Sequence, residues 1–173
     1  RDLGANTLEG SRPGMAMLVH SGLKIIAREG YEILIDQGID KARAFAKLIS
    51  QDKNFEVISF PELNIVTYRY CPQFALRALE ASDAVCKEAI NDILDRMTKT
   101  IQKVQREKGR SFVSRTRLEP IKYDSKPCVV FRVVLANPLT TIEILGDILQ
   151  EQVQIAGQNA GVQKGLLELK SLC

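Results

Sequence analysis

Histidine is almost absent from this sequence: His20 stands alone in 173 residues. An imidazole-ligated metal centre needs grouped ligands, and one His beside four scattered cysteines (Cys71, Cys86, Cys128 and Cys173) offers none. The cysteines show neither CxxC spacing nor framework regularity, so a reducing, cytoplasmic compartment is expected rather than a disulfide scaffold. No apolar run reaches about 18 residues, which leaves no candidate membrane-spanning helix. A cleavable leader pattern is missing too. There is no Gly-rich phosphate loop, no pair of catalytic carboxylates and no Ser/His/Asp spacing. Net charge is only +3. The cations of residues 99–117 (Lys99, Lys103, Arg106, Arg115 and Arg117 among them) are interrupted by Glu107 and by a helix-to-loop change. They read as a solvated face rather than a nucleic-acid stripe.

What is present is an ordinary globular composition, 45% apolar and 26% charged, in a chain long enough for one domain with a proper core. Residues 1–12 read as irregular or extended, broken by Gly4, Asn6 and Gly10. Ser11 is a candidate N-cap, and Pro13 suits a first helical turn, where its missing N–H costs nothing. Arg12 is thereby held at a corner entering a helix. Its planar fork is suited to binding both oxygens of a carboxylate. The plainer alternative is a solvated Arg, or one paired with Glu9.

The first helix spans 13–29 and is apolar over most of its circumference, as in a largely buried helix. His20 lies about two turns beyond Arg12 and is either a core or boundary residue or faces a site. Gly30 ends or bends this helix. A second helix over 31–51 carries Ile35, Ile39, Ala42, Ala46 and Ile49 on one stripe. Strands follow at 55–58 and 64–70, the second rich in β-branched and aromatic residues. A weak helical piece at 73–79 precedes a long helix at 83–107, capped by Ser82 or Asp83. Strands at 112–118 and 128–135 come next. Thr140 or Thr141 caps a last helix at 141–156, with Ile144, Ile148, Gln152 and Ile155 on one row. Residues 157–173 read as a looser tail with some helical tendency. Four short strands with amphipathic helices predict an α+β layer: an antiparallel sheet with helices on one face. No internal repeat is present, and composition and spacing do not define a reaction.

The stretch Thr7-Leu8-Glu9-Gly10-Ser11-Arg12-Pro13-Gly14 resembles the segment that opens the small C-terminal domain of pyridoxal-phosphate-dependent group II amino-acid decarboxylases. These belong to the aspartate-aminotransferase-like fold (PLP fold type I). Gly109-Arg110-Ser111-Phe112-Val113-Ser114-Arg115-Thr116 and Phe131-Arg132-Val133-Val134-Leu135-Ala136-Asn137-Pro138 are similar to the last two strands of that domain, in the same order. The resemblance covers nearly the whole chain and looks most like the aspartate 1-decarboxylase and glutamate decarboxylase branches.

The resemblance implies pyridoxal 5'-phosphate, bound mainly by a large domain. It also implies an amino-acid substrate, a homodimer, and neither nucleic acid nor membrane as a partner. The implied reaction removes the α-carboxylate of an acidic amino acid, aspartate to β-alanine or glutamate to γ-aminobutyrate. Alternatives are a carbon–carbon lyase of the same fold and a non-catalytic α+β dimerisation or regulatory module. The family's cofactor lysine sits in a His-Lys pair, whereas here His20 is followed by Ser21. Residues 1–12 are therefore expected to be the end of a large cofactor-binding domain, 13–156 the small domain and 157–173 a tail. The isolated chain is expected to be inactive, with no catalytic, cofactor-binding or metal-binding residue of its own. One residue carries over, Arg12, at the position of the Ser-Arg-Pro arginine that holds the substrate α-carboxylate. Holding the scissile bond perpendicular to the cofactor ring lets its electrons flow into the π system. Arg69 and Arg132 are expected to be structural, pairing with carboxylates at the sheet edge.

Overall fold

The structure, a computed structural model, describes residues 14–124 and 126–172. Ser11, Arg12 and Pro13, with the whole opening motif as far as Pro13, lie outside the described residues. The chain divides into two compact units, Arg1–Asp36 and Gln37–Cys173.

The first unit holds the start of α1 (Met15–Gln51), a helix interrupted by non-helical backbone at Ala27 (φ 55, ψ −171). The break therefore falls three residues before Gly30, the residue expected to cause it. Gly30 instead provides space, because a Cβ there would lie 2.8 Å from the Cβ of Ile26. A Cβ on Gly22 would lie 2.5 Å from the Tyr31 hydroxyl. In a straight helix those residues would stand about 13 Å apart, so the chain doubles back at Ala27 and both glycines leave room for it. The helix expected to be largely buried is instead open: Met17, Leu18, Val19, Leu23 and Ile25 are all exposed. His20 is exposed too, not a core residue. Apolar periodicity marks surface to be covered, and none of the described residues of this unit buries these side chains.

In the second unit, α1 turns its predicted stripe inward, with Ala42, Ala46 and Ile49 fully buried and Phe45 buried beside them. Ile35, assigned to the same stripe, falls in the first unit and is exposed. The remaining elements are β1 (Phe55–Ser59), β2 (Ile65–Tyr70), α2 (Gln73–Ala81), α3 (Ala84–Lys108), β3 (Ser114–Leu118), β4 (Cys128–Val134), α4 (Ile142–Gln158) and α5 (Ala160–Leu172). The sheet order is β1-β2-β4-β3, with every pair antiparallel. This is the predicted α+β layer. Asp83 caps α3 by accepting from the Cys86 N–H at 2.8 Å, and Thr141 caps α4 by accepting from Ile144. Gly109 ends α3 in the left-handed region at φ 69.

Side chains alternate across the sheet. Val66, Tyr68 and Tyr70 of β2 and Phe131 of β4 join α1, α3, α4 and α5 in one core. Tyr68 lies edge-on to Phe45 and Phe55, with ring centroids 5.6 and 5.8 Å away. A smaller cluster of Ile58, Cys128 and Val130, with Leu118 and Tyr123 packed against it, occupies the other face. Residues 157–172, expected as a loose tail, belong to the core: α5 buries Val162 and Leu169. Gly165 makes its close approach possible, since a Cβ there would sit 2.9 Å from the Cγ and Sδ of Met97.

Candidate functional site

The non-core face of the sheet carries two arginines, and the strands place them differently. Arg69 on β2 pairs across the ladder with Glu56 on β1. Its Nε donates to Glu56 Oε2 at 2.8 Å, and its Nη1 donates to Asn91 Oδ1 at 2.7 Å. The guanidinium lies 4.6 Å from the centre of the Tyr123 ring. Arg69 is fully buried, and its Nη2 finds no partner among the described residues. Glu56 Oε1 also accepts from Lys122 Nζ at 2.7 Å and from the Tyr123 hydroxyl. Lys122 and Tyr123 belong to a short 3-10 turn, Ile121–Tyr123, in the β3–β4 connection. The turn is thus tied over the sheet by one carboxylate. Burial pushes the Glu56 carboxyl up, but the Arg69 charge and the Lys122 and Tyr123 hydrogen bonds outweigh it and hold it below the usual range. Burial and the Glu56 charge push the Tyr123 phenol far up. Glu56 is therefore an ionised acceptor and Tyr123 a neutral donor, and neither is poised as a base or acid near neutral pH. Arg69 fulfils the expectation of a carboxylate partner.

Arg132 does not. It lies on β4 opposite Thr67 of β2 and Ser114 of β3. It is exposed, and no carboxylate pairs with it among the described residues. Its backbone carbonyl accepts from Ser114 Oγ at 2.6 Å. Thr67 in turn shares a 2.8 Å hydroxyl contact with Ser59. One rung further on the same face, Ile65 faces Val134, and both are about half exposed. Among the described residues, an interior strand of an antiparallel sheet thus presents one guanidinium without an acidic partner beside apolar side chains. That guanidinium can take an incoming carboxylate bidentately. The sequence groups Arg132 with Arg69 because both lie on strands of the small domain. Only the register shows that one faces an acid and the other does not.

A second polar group was missed. The Tyr68 hydroxyl donates to Gln152 Oε1, Gln152 Nε2 to Gln105 Oε1, Gln105 Nε2 to Ser111 Oγ, and Ser111 to Glu151 Oε2. Each donor in this chain through the core has an acceptor, which is why Gln152 can occupy an apolar row of α4 while fully buried. Burial also raises the Tyr68 phenol.

No protein-family model matches the chain. It is 55% identical over 159 residues to an aspartate 1-decarboxylase of Aliivibrio fischeri, which covers 92% of this chain and 29% of that protein. It is 28% identical over 144 residues to an aromatic-L-amino-acid decarboxylase of Bacillus atrophaeus, 83% of this chain and 26% of that one. Among solved structures, mouse CSAD in apo form superposes with a TM-score of 0.69 at 19% identity, over 88% of this chain and 30% of that one. The glutamate decarboxylase domain of a Vibrio parahaemolyticus protein superposes with a TM-score of 0.62 at 17% identity, over 83% and 26%. The fold is that of a small domain of the PLP fold type I decarboxylases. The chain belongs to the pyridoxal-phosphate-dependent group II amino-acid decarboxylases and corresponds to their C-terminal small domain. It spans less than a third of the length of the curated relatives it matches.

The described residues do not fit the cofactor as its holder. Every lysine among them is exposed or half-exposed, and none stands in an enclosed cavity where a covalent cofactor bond would be shielded from water. Among the described residues no group of three or more His, Cys, Asp or Glu is placed to hold a metal, and no helix is long and apolar enough to cross a membrane.

Proposed function

We propose that this chain is the small domain of a cytoplasmic, homodimeric decarboxylase acting on an acidic amino acid, with L-aspartate, giving β-alanine, ahead of L-glutamate. The identity of 55% to an aspartate 1-decarboxylase carries this reading. In it the chain contributes no reacting group; its part is to hold and orient the substrate carboxylate. Arg12 is the residue given that role. An arginine fork fixes two oxygens at once and so limits rotation about the bond to be broken. The hold must be moderate, because the carboxylate loses its charge as carbon dioxide leaves, and tight ground-state binding would slow that step.

A second reading gives the carboxylate to Arg132, favoured by its exposure on the sheet without an acidic partner among the described residues. The two are separated by substitution in the full-length polypeptide. Aspartate-dependent release of carbon dioxide is measured beside the visible absorbance of the bound cofactor. The residue that binds the carboxylate loses about 10²-fold in turnover on substitution by Ala, with the cofactor band retained. Normal turnover in Arg12→Ala would reject the first assignment, and normal turnover in Arg132→Ala the second. Failure of the unsubstituted protein to decarboxylate either acid would reject the function itself.

A further inference from the structure

Within the segment 109–116, Arg110 has no part in the proposed reaction. It borders a cleft of about 430 Å³ that α4 completes with Asp147, Gln150, Glu151 and Gln154. That volume lies in the range of small-molecule sites. The four α4 residues follow one another at three- and four-residue steps, so one stripe of the helix lines the cleft. Arg110, Asp147, Gln150 and Gln154 are exposed, whereas Glu151 is only 7% exposed.

Glu151 separates this cleft from an ordinary solvated surface. Its Oε2 accepts from Ser111 Oγ. Its Oε1 is buried and finds no hydrogen-bond partner among the described residues. Ser111 cannot supply that bond as well, because a hydroxyl has one proton and this one goes to Oε2. A buried acceptor without a donor is costly, and native proteins keep few of them. Arg110 does not serve it: among the described residues neither Arg110 nor Asp147 is engaged in an ion pair or side-chain hydrogen bond. The cleft thus combines one guanidinium and one carboxylate at its rim with a second carboxylate, short of a donor, at its floor.

We infer that this cleft binds a small amino-acid zwitterion, its ammonium on Glu151 Oε1 and Asp147 and its carboxylate on Arg110. Charge selects that class. A simple anion would meet two carboxylates, and a simple cation would meet Arg110. An ammonium brings three donors, enough for Oε1, Asp147 and an amide oxygen of Gln150 or Gln154. The Arg110 fork takes both oxygens of the ligand's carboxylate. The long exposed side chains of Arg110, Gln150 and Gln154 give way over Oε1 as the ammonium enters. A metal ion is the poorer occupant, since no three His, Cys, Asp or Glu among the described residues are grouped to hold one. The inference uses neither Arg12 nor Arg132 and does not depend on the proposed decarboxylation.

Hydrogen–deuterium exchange of the full-length protein, read by mass spectrometry with β-alanine as the probe, tests the site where it lies. Saturating β-alanine is expected to slow backbone exchange across residues 147–154 about threefold, because a bound ligand stabilises the segment that holds it. Propylamine and propanoate, each carrying one of the two charges, should leave exchange there unchanged. Glu151→Gln keeps an acceptor for Ser111 and removes the floor charge, while Asp147→Asn removes the rim charge at an exposed position. They should raise the half-saturating β-alanine concentration about tenfold and about threefold respectively. No slowing with β-alanine overturns the inference, as does equal slowing with either single-charge compound. Slowing that both variants retain at the parent's concentration overturns it too. Zwitterion-specific slowing in a protein that does not decarboxylate keeps the site and rejects the enzymatic reading. Decarboxylation without the slowing does the opposite.

Discussion

Glu56 is the carboxylate on which the polar contacts of the sheet converge. It accepts from Arg69, Lys122 and Tyr123 and so ties β1, β2 and the β3–β4 connection to one point. Its value lies in what would remain without it: Arg69 is fully buried, and a buried charge without its partner is far costlier than a well-packed apolar pair. Glu56→Gln is therefore expected to cost about 3–5 kcal/mol and to lower the melting temperature by roughly 10 °C in thermal unfolding. The double substitution Glu56→Leu with Arg69→Met should recover most of that loss, since it removes both charges together. If the single and double variants melt alike, the ion pair is not what the site depends on. Asp95 is a milder case. It accepts from the Val129 N–H at 2.7 Å, and burial raises its carboxyl despite the charges of Lys99, Arg69 and Arg117.

At the scale of elements, two helices differ from their sequence pattern for reasons that lie in their neighbours. The apolar first turns of α1 remain open, and its inward-facing stripe begins at Gly38. By contrast α5, with Gly161 and Gly165 in a segment that reads as loose, is fixed against α3 by close approach. Glycine costs a helix about 1 kcal/mol relative to alanine, so its presence needs a packing reason. At Gly165 the reason is Met97, which is almost wholly buried and has little room to move. Gly165→Val should destabilise the protein by about 1–3 kcal/mol through overpacking, read as a lower denaturation midpoint in urea. Pairing it with Met97→Ala should restore part of the loss. A Gly165→Val protein as stable as its parent would show that α5 does not need this contact.

At the scale of the molecule, pH acts through the same buried carboxylate. The Glu56 carboxyl is lower in the folded protein than in the unfolded chain. Its contribution is therefore complete above the ordinary carboxylate value of about 4, and it is lost as pH falls from there through the lower folded value. The melting temperature is expected to be flat from pH 8 to about 5 and then to fall, with a shallower fall in Glu56→Gln. A parallel fall in both proteins would remove Glu56 from the explanation. Asp95, shifted upward, works in the opposite sense and blunts the drop, because its protonation in the fold relieves a buried charge.

The sequence by itself determined the strands, their number, the helix starts to within one capping residue at 82–83 and 140–141, and the α+β class. These depend on local chemistry: alternation, β-branching, capping hydroxyls and carboxylates, and the Gly109 stop. The ordered motifs also led to the right family. The tertiary structure alone decided which arginine is neutralised. Arg69 and Arg132 have similar local surroundings in the sequence, and the strand register gives one an acid and leaves the other without one. It also decided that Gln152 can be buried, since its partners Tyr68 and Gln105 come from other elements, and that α5 is part of the core. Burial and pairing are properties of neighbours distant in the chain, and local pattern does not carry them.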